Sequence, residues 1–124
     1  HLHVEDAPAT VTNIVRLTRE KFFDGKYIHR MIPNFVAQGG CPRGDGWGST
    51  EPLLRSEWPG LGFTKGAVGM ASAGKDTESC QFFITHSATP HLDGRYTVFG
   101  YVVSGQEVVD KLQVGDRILE AMVE

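Results

Sequence analysis

An arginine and a glutamine that stand among apolar residues are the first candidates for chemistry in this chain. Arg30 and Gln38 lie in the stretch YIHRMIPNFVAQGG, residues 27–40, which ends in a glycine pair. Alternation over residues 31–38 predicts one strand, with Phe35 on one face and Gln38 on the other. A charge and an amide on such a strand can form the hydrogen-bonding walls of a pocket with an apolar floor.

A second interpretation of Arg30 and Gln38 remains open from the residues alone. The two could form a surface charge with its partner and a strand-end amide, because most polar side chains lie at the surface. Pro33, near the start of the predicted strand, favours a sheet edge or a bulge in either case.

Composition limits the classes of protein to consider. The 124 residues suffice for one domain with one core, residues 1–124, and their net charge of -3 provides no basic surface for nucleic acid or an anionic membrane. No apolar run reaches the length of a membrane span, and no signal peptide is evident. The compartment stays undetermined between the cytoplasm and export after processing.

The cysteines and histidines do not form a metal or redox motif. Cys41 and Cys80 lack C-x-x-C spacing, and the sequence leaves open whether they are bonded to each other. His1 and His3 have no partner at ligand spacing, so we predict neither a metal nor a cofactor. The glycine-rich stretch 41–66 lacks the lysine of a phosphate-binding loop and is predicted to be a structured surface loop with Trp47 and Trp58 as its anchors.

Short alternating runs and frequent glycines predict a mainly β chain. A helix should begin at Pro8, since proline suits a first helical turn, and its apolar face should be part of the core. A second helix is predicted over residues 106–112, with Val108 facing inward, and a last strand over residues 117–123. Many antiparallel strands with two short helices indicate a barrel or a sandwich.

Three segments stand out in order along the chain: HRMIPNFVAQGG, GAVGMASAG and SCQFFITHSATPHLDGRYTVFG, beginning at residues 29, 66 and 79. They resemble the cyclophilins, the cyclosporin-binding family of peptidyl-prolyl cis-trans isomerases. Three long motifs in order are more specific than one short pattern. The resemblance implies a closed antiparallel β-barrel capped by two short α-helices. Its site should be a groove on the outer face, because a small barrel is filled by its own side chains.

The family pattern also contains a complete first strand and hairpin before the part that matches residues 1–4. We therefore expect the chain to open within the second strand and to lack the first. A barrel short of one strand would expose unpaired backbone groups at the edge of the sheet.

The resemblance implies roles for individual residues. Arg30, Phe35 and Gln38 match the catalytic positions, with Gln38 orienting Arg30 and contacting the substrate carbonyl. The remaining matches form the proline pocket and the positions that bind the preceding peptide residues: Val36, Ala71, Ser72, Ala73, Gln81, Phe83, His91, Leu92 and Tyr96.

Four of these positions depart from the best-known members of the family. His91 stands where many eukaryotic cyclophilins carry a tryptophan that contacts cyclosporin, so we expect weaker binding of that drug. Tyr96, Ser72 and Val36 replace the usual histidine, asparagine and methionine. The combination resembles a bacterial-type cyclophilin.

The implied activity is rotation about X–Pro peptide bonds in peptides and unfolded proteins, which assists protein folding. No bond to hydrogen breaks, so neither a covalent step nor acid–base chemistry is required; a donor aimed at the proline nitrogen and an apolar seat for its ring are sufficient. The alternative is a module that binds proline-containing peptides with little turnover.

Overall fold

Five short strands form one antiparallel sheet in the computed structural model, which describes residues 1–51, 53–57, 61–73 and 76–124. The strands are β1 (Ile28–Ile32), β2 (Val36–Gly39), β3 (Ala67–Met70), β4 (Phe82–Thr85) and β5 (Val98–Tyr101), and hydrogen bonds join them in the order β1-β2-β4-β3-β5. The helices are α1 (Pro8–Arg19) and α2 (Gln106–Val109). The prediction of a mainly β, antiparallel chain with two helices is confirmed.

The single strand predicted over residues 31–38 is wrong, because the chain reverses in the middle of it. β1 ends at Ile32 and β2 begins at Val36, and the Phe35 N–H donates to the Ile32 carbonyl at 3.0 Å. Pro33 has no N–H for a ladder, and Asn34 adopts a left-handed conformation with φ of 58°, which asparagine tolerates. The alternation of the sequence continues through this turn and conceals it.

This hairpin determines where the candidate residues lie. Arg30 on β1 pairs with Gln38 on β2, and Gln38 pairs in turn with Phe83 on β4. Residues directly opposite on adjacent strands share a face of the sheet. The arginine, the amide and the aromatic ring therefore stand in a row across three strands.

Helix α1 begins at Pro8, as predicted, and buries one face. Val11, Ile14 and Leu17 pack in a core with Met70 and Phe99. The core prediction for this helix is confirmed.

The first turn of α1 is capped by a distant residue. The Glu57 carboxylate accepts the N–H of Thr10 at 2.8 Å, its hydroxyl at 2.7 Å and the N–H of Ala9 at 3.2 Å. These bonds satisfy N–H groups that the helix itself leaves unpaired and put a negative charge at the positive end of its dipole. The cap ties α1 to the loop that follows β2.

Both outer strands of the sheet pair with a further segment of the chain. Leu2 bridges Gly100, so residues 1–3 lie along β5, while Arg117 bridges Tyr27 beside β1. The last strand predicted over residues 117–123 is wrong: backbone pairing with residues 25–27 ends at Ile118, and Leu119 is 88% exposed. Apolar residues alternate over this segment, but within the described part of the chain it is not a strand of the sheet.

Two further predictions need correction. Helix α2 ends at Val109, and Val108 faces solvent rather than the core, because only one turn of helix forms after the left-handed Gly105. Trp47 does not anchor its loop, for it is 84% exposed. Trp58 lies outside the described residues.

The thiols of Cys41 and Cys80 are both free and buried. Among the described residues, no group of three or more histidines, cysteines and acidic residues is placed to hold a metal ion. Within the same residues, no helix combines the length and apolar character needed to cross a bilayer.

Candidate functional site

A cavity of about 210 Å³ opens beside the row of residues that crosses β1, β2 and β4. Nine of the twelve residues selected from the sequence line it: Arg30, Phe35, Val36, Gln38, Ala71, Ser72, Phe83, Leu92 and Tyr96. The residues that line the cavity come from strands, from the β1–β2 turn and from the 3-10 turn Pro90–Leu92. Segments far apart in sequence thus converge on one concave site.

The floor of the cavity is apolar and tightly packed. Val36, Phe83 and Leu92 are between 3% and 9% exposed and belong to one core cluster. The Phe83 ring stacks on Phe63 with centroids 5.3 Å apart, and the edge of Tyr96 meets it at 5.8 Å. Such a floor offers a rigid seat for an apolar ring.

A glycine on β3 makes this packing possible. A Cβ at Gly69 would lie 2.6 Å from the Phe83 ring and 2.7 Å from the Phe63 ring, closer than real contacts allow. A larger residue at position 69 would push both rings, and with them the floor, out of place.

Long polar side chains, joined in series by hydrogen bonds, form what we call the polar wall of the cavity. Arg30 donates to Gln38 Oε1 at 3.4 Å, and Gln38 Nε2 donates to Gln81 Oε1 at 3.1 Å. Gln81 Nε2 donates in turn to the carbonyls of Gly46 at 2.9 Å and Gly48 at 2.7 Å. An exposed, permanently charged guanidinium is thereby held at the mouth of an apolar cavity.

A second cavity of about 470 Å³ adjoins the first and shares Gln38, Ala71 and Ser72 with it. Ala73 and Gln81, which the sequence placed among the peptide-binding positions, line this second cavity. The exposed Trp47 also lines this cavity. Together the two cavities form one groove that runs from Phe83 to Gln81.

His91, the remaining candidate, lies at the rim. Its ring is exposed and stacks on Phe35, with centroids 5.5 Å apart and planes at 25°. It is not among the residues that line either cavity. In this position it covers one face of the Phe35 ring.

Several residues next to the polar wall were not singled out as functional from the sequence. Burial lowers the pKa of His29 and the charge of Arg30 lowers it further, while Gln81 and Asp45 oppose them. His29 is therefore biased toward its neutral form. Gly46 and Gly48, whose carbonyls hold Gln81, gave no signal beyond the richness of their loop in glycine.

Comparison with known proteins agrees with this geometry. Residues 1–122 match the family model described as cyclophilin type peptidyl-prolyl cis-trans isomerase/CLD. Over 99% of its length the chain is 48% identical to peptidyl-prolyl cis-trans isomerase B of Bacillus subtilis, covering 87% of that protein, and over 98% it is 44% identical to a peptidyl-prolyl cis-trans isomerase of Helicobacter pylori, covering 77%.

A solved structure is similar in fold as well. It is a cyclophilin type peptidyl-prolyl cis-trans isomerase of Cryptosporidium parvum, determined in the presence of the dipeptide Ala-Pro. It superposes with a TM-score of 0.84 at 30% identity, over 90% of this chain and 77% of its own.

Proposed function

The chain belongs to the cyclophilin-type peptidyl-prolyl cis-trans isomerases, and from this premise we propose that the cavity between Arg30 and Phe83 is where the X–Pro bond rotates. The observation that carries the proposal is the pairing of a charged donor, Arg30, with an apolar floor in one concave site. The chemistry of the reaction needs those two elements and little else.

The barrier to rotation is the resonance of the amide, about 18–20 kcal/mol. As the bond twists, the proline nitrogen recovers its lone pair and becomes a hydrogen-bond acceptor, which it is not in either planar state. Raising the rate from ~0.01 to ~1,000 per second requires about 7 kcal/mol of preferential transition-state stabilisation, at ~1.4 kcal/mol per decade. A donor that bonds only to the twisted state contributes to this term without tightening substrate binding.

Arg30 is the proposed donor. Its guanidinium stays charged at all relevant pH values and donates in a fixed, planar geometry. Gln38 orients it through the 3.4 Å bond and has an amide able to reach a substrate carbonyl. Phe35 and Phe83 both line the apolar side of the cavity, so that the proline ring is held there while the acyl side turns.

The residues that precede proline are proposed to lie along Ala71, Ser72, Ala73 and Gln81, toward the second cavity. Substrates are then proline-containing peptides and unfolded segments of proteins, since a groove on the surface accepts an extended chain. The Cryptosporidium parvum protein was solved in the presence of the dipeptide Ala-Pro. This dipeptide contains a proline ring and one preceding residue, the two parts of a substrate that such a groove would bind.

The test compares Arg30→Ala with Arg19→Ala, which removes the same charge from the last turn of α1. Turnover of a proline-containing model peptide should fall by about two to three decades in the first variant and stay unchanged in the second, the effect of losing one transition-state donor. Peptide affinity and melting temperature should change little, because Arg30 is exposed.

The same experiment separates the alternative, a peptide-binding module. Such a module would bind the peptide in its parent form while turnover remained near the uncatalysed rate. Full turnover in Arg30→Ala would contradict the proposed role of Arg30.

A further inference from the structure

A buried sulfur lies at the end of the hydrogen-bond series that reaches Arg30. Cys41 follows β2 and its glycine pair directly, and its side chain is 1% exposed. Its Sγ accepts the backbone N–H of Gly46 at 3.3 Å and that of Gly48 at 3.2 Å. Residues 41–48 are therefore folded around the sulfur, which satisfies two N–H groups that would otherwise lack partners.

The same two glycines hold Gln81 with their carbonyls. Gln81 Nε2 donates to Gly46 O at 2.9 Å and to Gly48 O at 2.7 Å. The sulfur and the amide thus bind the same two glycines, one through their N–H groups and the other through their carbonyls. Fixing the glycines with Cys41 fixes the place where the amide of Gln81 must donate.

This constraint decides which way each amide in the series points. Because Gln81 Nε2 faces the two carbonyls, its Oε1 must face Gln38, and Gln38 must present its Nε2 to that oxygen. The Oε1 of Gln38 is then the atom left for Arg30. If the carbonyls moved away, Gln81 could turn over, Gln38 would follow, and an NH₂ group would face the guanidinium, donor against donor.

We propose that Cys41 is a positioning residue for Arg30, acting through the loop glycines, Gln81 and Gln38. The proposal rests on the role of Arg30 in the proposed function. Specifically, the Cys41 thiol keeps the side-chain oxygen of Gln38, and not its NH₂ group, directed at the Arg30 guanidinium during turnover.

The electrostatics of the sulfur agree with a role as an acceptor. Burial raises the pKa of the Cys41 thiol, but backbone N–H groups, those of Gly48 and Gly46 foremost, outweigh burial and lower it overall. Cys80 provides the contrast: it is fully buried in the core beside α1, and burial raises its pKa. The Ser79 hydroxyl also donates to Cys80, at 3.6 Å, but there burial outweighs the donors, whereas at Cys41 the backbone donors prevail and stabilise negative charge on sulfur.

The first test measures kcat, KM and melting temperature for Cys41→Ala, Cys41→Ser and Cys80→Ala. Removing the acceptor in Cys41→Ala should lower kcat about tenfold with KM within about twofold, the scale of one misdirected charge-assisted hydrogen bond. Cys41→Ser, whose hydroxyl can accept the same N–H groups, should recover most of kcat. Cys80→Ala removes core atoms and should lose stability without losing kcat.

An unchanged kcat in Cys41→Ala overturns the proposal. So does an equal loss of kcat in Cys80→Ala, which would reduce the effect to general destabilisation. If instead Arg30→Ala keeps its turnover, the catalytic assignment itself fails; if Arg30→Ala is inactive while Cys41→Ala is normal, only the positioning role fails.

A second pair of variants leaves the sulfur in place, in case Cys41→Ala does not fold. Gly46 and Gly44 lie in the same loop with φ of 91° and 75°, so alanine introduces similar backbone strain at each. Gly46→Ala disturbs a peptide unit that holds Gln81 and should lower kcat; Gly44→Ala should not. Equal kcat values in these two variants would overturn the proposal.

A double-mutant cycle tests the route of the effect. In a Gln81→Met background, where the amide is already gone, Cys41→Ala should lower kcat by less than about twofold, because the two changes act on one series of bonds. A further tenfold loss would mean that Cys41 acts elsewhere. In NMR spectra, the side-chain NH₂ signals of Gln38 and Gln81 should shift in Cys41→Ala and stay in place in Cys80→Ala.

Discussion

Glu78 is a buried carboxyl group that should make the stability of this protein depend on pH. Its side chain is 0% exposed, and it accepts the N–H of Thr97 at 3.3 Å and the hydroxyl of Thr97 at 3.0 Å. The pKa of Glu78 is raised to about 7: burial raises it most, the bonds from Thr97 oppose the rise, and the charges of Glu57 and Asp76 add to it. The native state therefore holds a proton that the unfolded chain releases.

The sign of the effect follows from that difference. The pKa of Glu78 is 4.5 in its ordinary state and about 7 in the folded one, so between these values the folded protein binds more protons than the unfolded chain. The free energy of unfolding should then decrease as pH rises through this window and level off above pH 7. At ~1.4 kcal/mol per pH unit, the decrease between pH 5 and pH 8 is roughly 2–3 kcal/mol.

The assay is denaturant-induced unfolding at pH 5, 6, 7 and 8, with Glu78→Gln as the test variant. Glutamine keeps the shape of the side chain but has no proton to lose, so Glu78→Gln should not show this decrease and should gain on the parent as pH rises. Glu120→Gln removes a charge from the exposed C-terminal segment and should follow the parent. The lowered pKa of His29 has the opposite effect, because its contribution to the free energy of unfolding is lost as pH falls. Since His29 is present in both proteins, the difference between the parent and Glu78→Gln isolates the contribution of Glu78. Parallel pH profiles for the parent and Glu78→Gln would refute this reasoning.

Two predictions concern the groove itself. At a temperature well below melting, kcat/KM should be nearly flat from pH 5 to 8, because Arg30 stays charged and no acid or base is required; a bell-shaped profile would indicate proton transfer in the rate-limiting step. Cyclosporin should bind this protein more weakly than a tryptophan-bearing relative by roughly 1–3 kcal/mol, since His91 offers less apolar surface and no indole N–H. His91→Trp should restore much of that affinity in a fluorescence titration, and no gain would mean that position 91 does not reach the ligand.

The apolar part of the candidate site was predictable because its residues fall in three continuous motifs. Phe35, Val36, Phe83 and Leu92 were all selected from the sequence, and all line the cavity. The prediction of one strand across residues 31–38 failed even so. Alternation reports which residues share a face, but a Pro-Asn turn preserves the alternation while reversing the chain.

The polar surroundings of the site were not predictable in the same way. The bonds from Gln81 to Gly46 and Gly48 span 35 and 33 residues, and no local pattern marks either glycine as a partner. Glu78 occupies a polar stretch of sequence where the ordinary expectation is an exposed charge. Its burial depends on Thr97, 19 residues further along.

The apolar floor and the polar wall of the groove are stabilised by different interactions, so substitutions in each should have different effects. The floor depends on close packing of Phe83 against Phe63, a contact that neither pH nor the loss of a single hydrogen bond affects. The polar wall depends on a loop without regular strands, held by Cys41 on one side.

Side chains hold the far end of that loop as well. The Glu57 N–H donates to the Thr97 hydroxyl at 2.8 Å, and that hydroxyl donates to Glu78, so the loop residue that caps α1 is linked to the buried carboxyl. Substitutions in the floor should therefore alter proline binding and stability together. Substitutions at Cys41 or Gly46, which fix the position of Gln81, should alter the orientation of Arg30, and hence kcat, while the proposed seat for the proline ring remains intact.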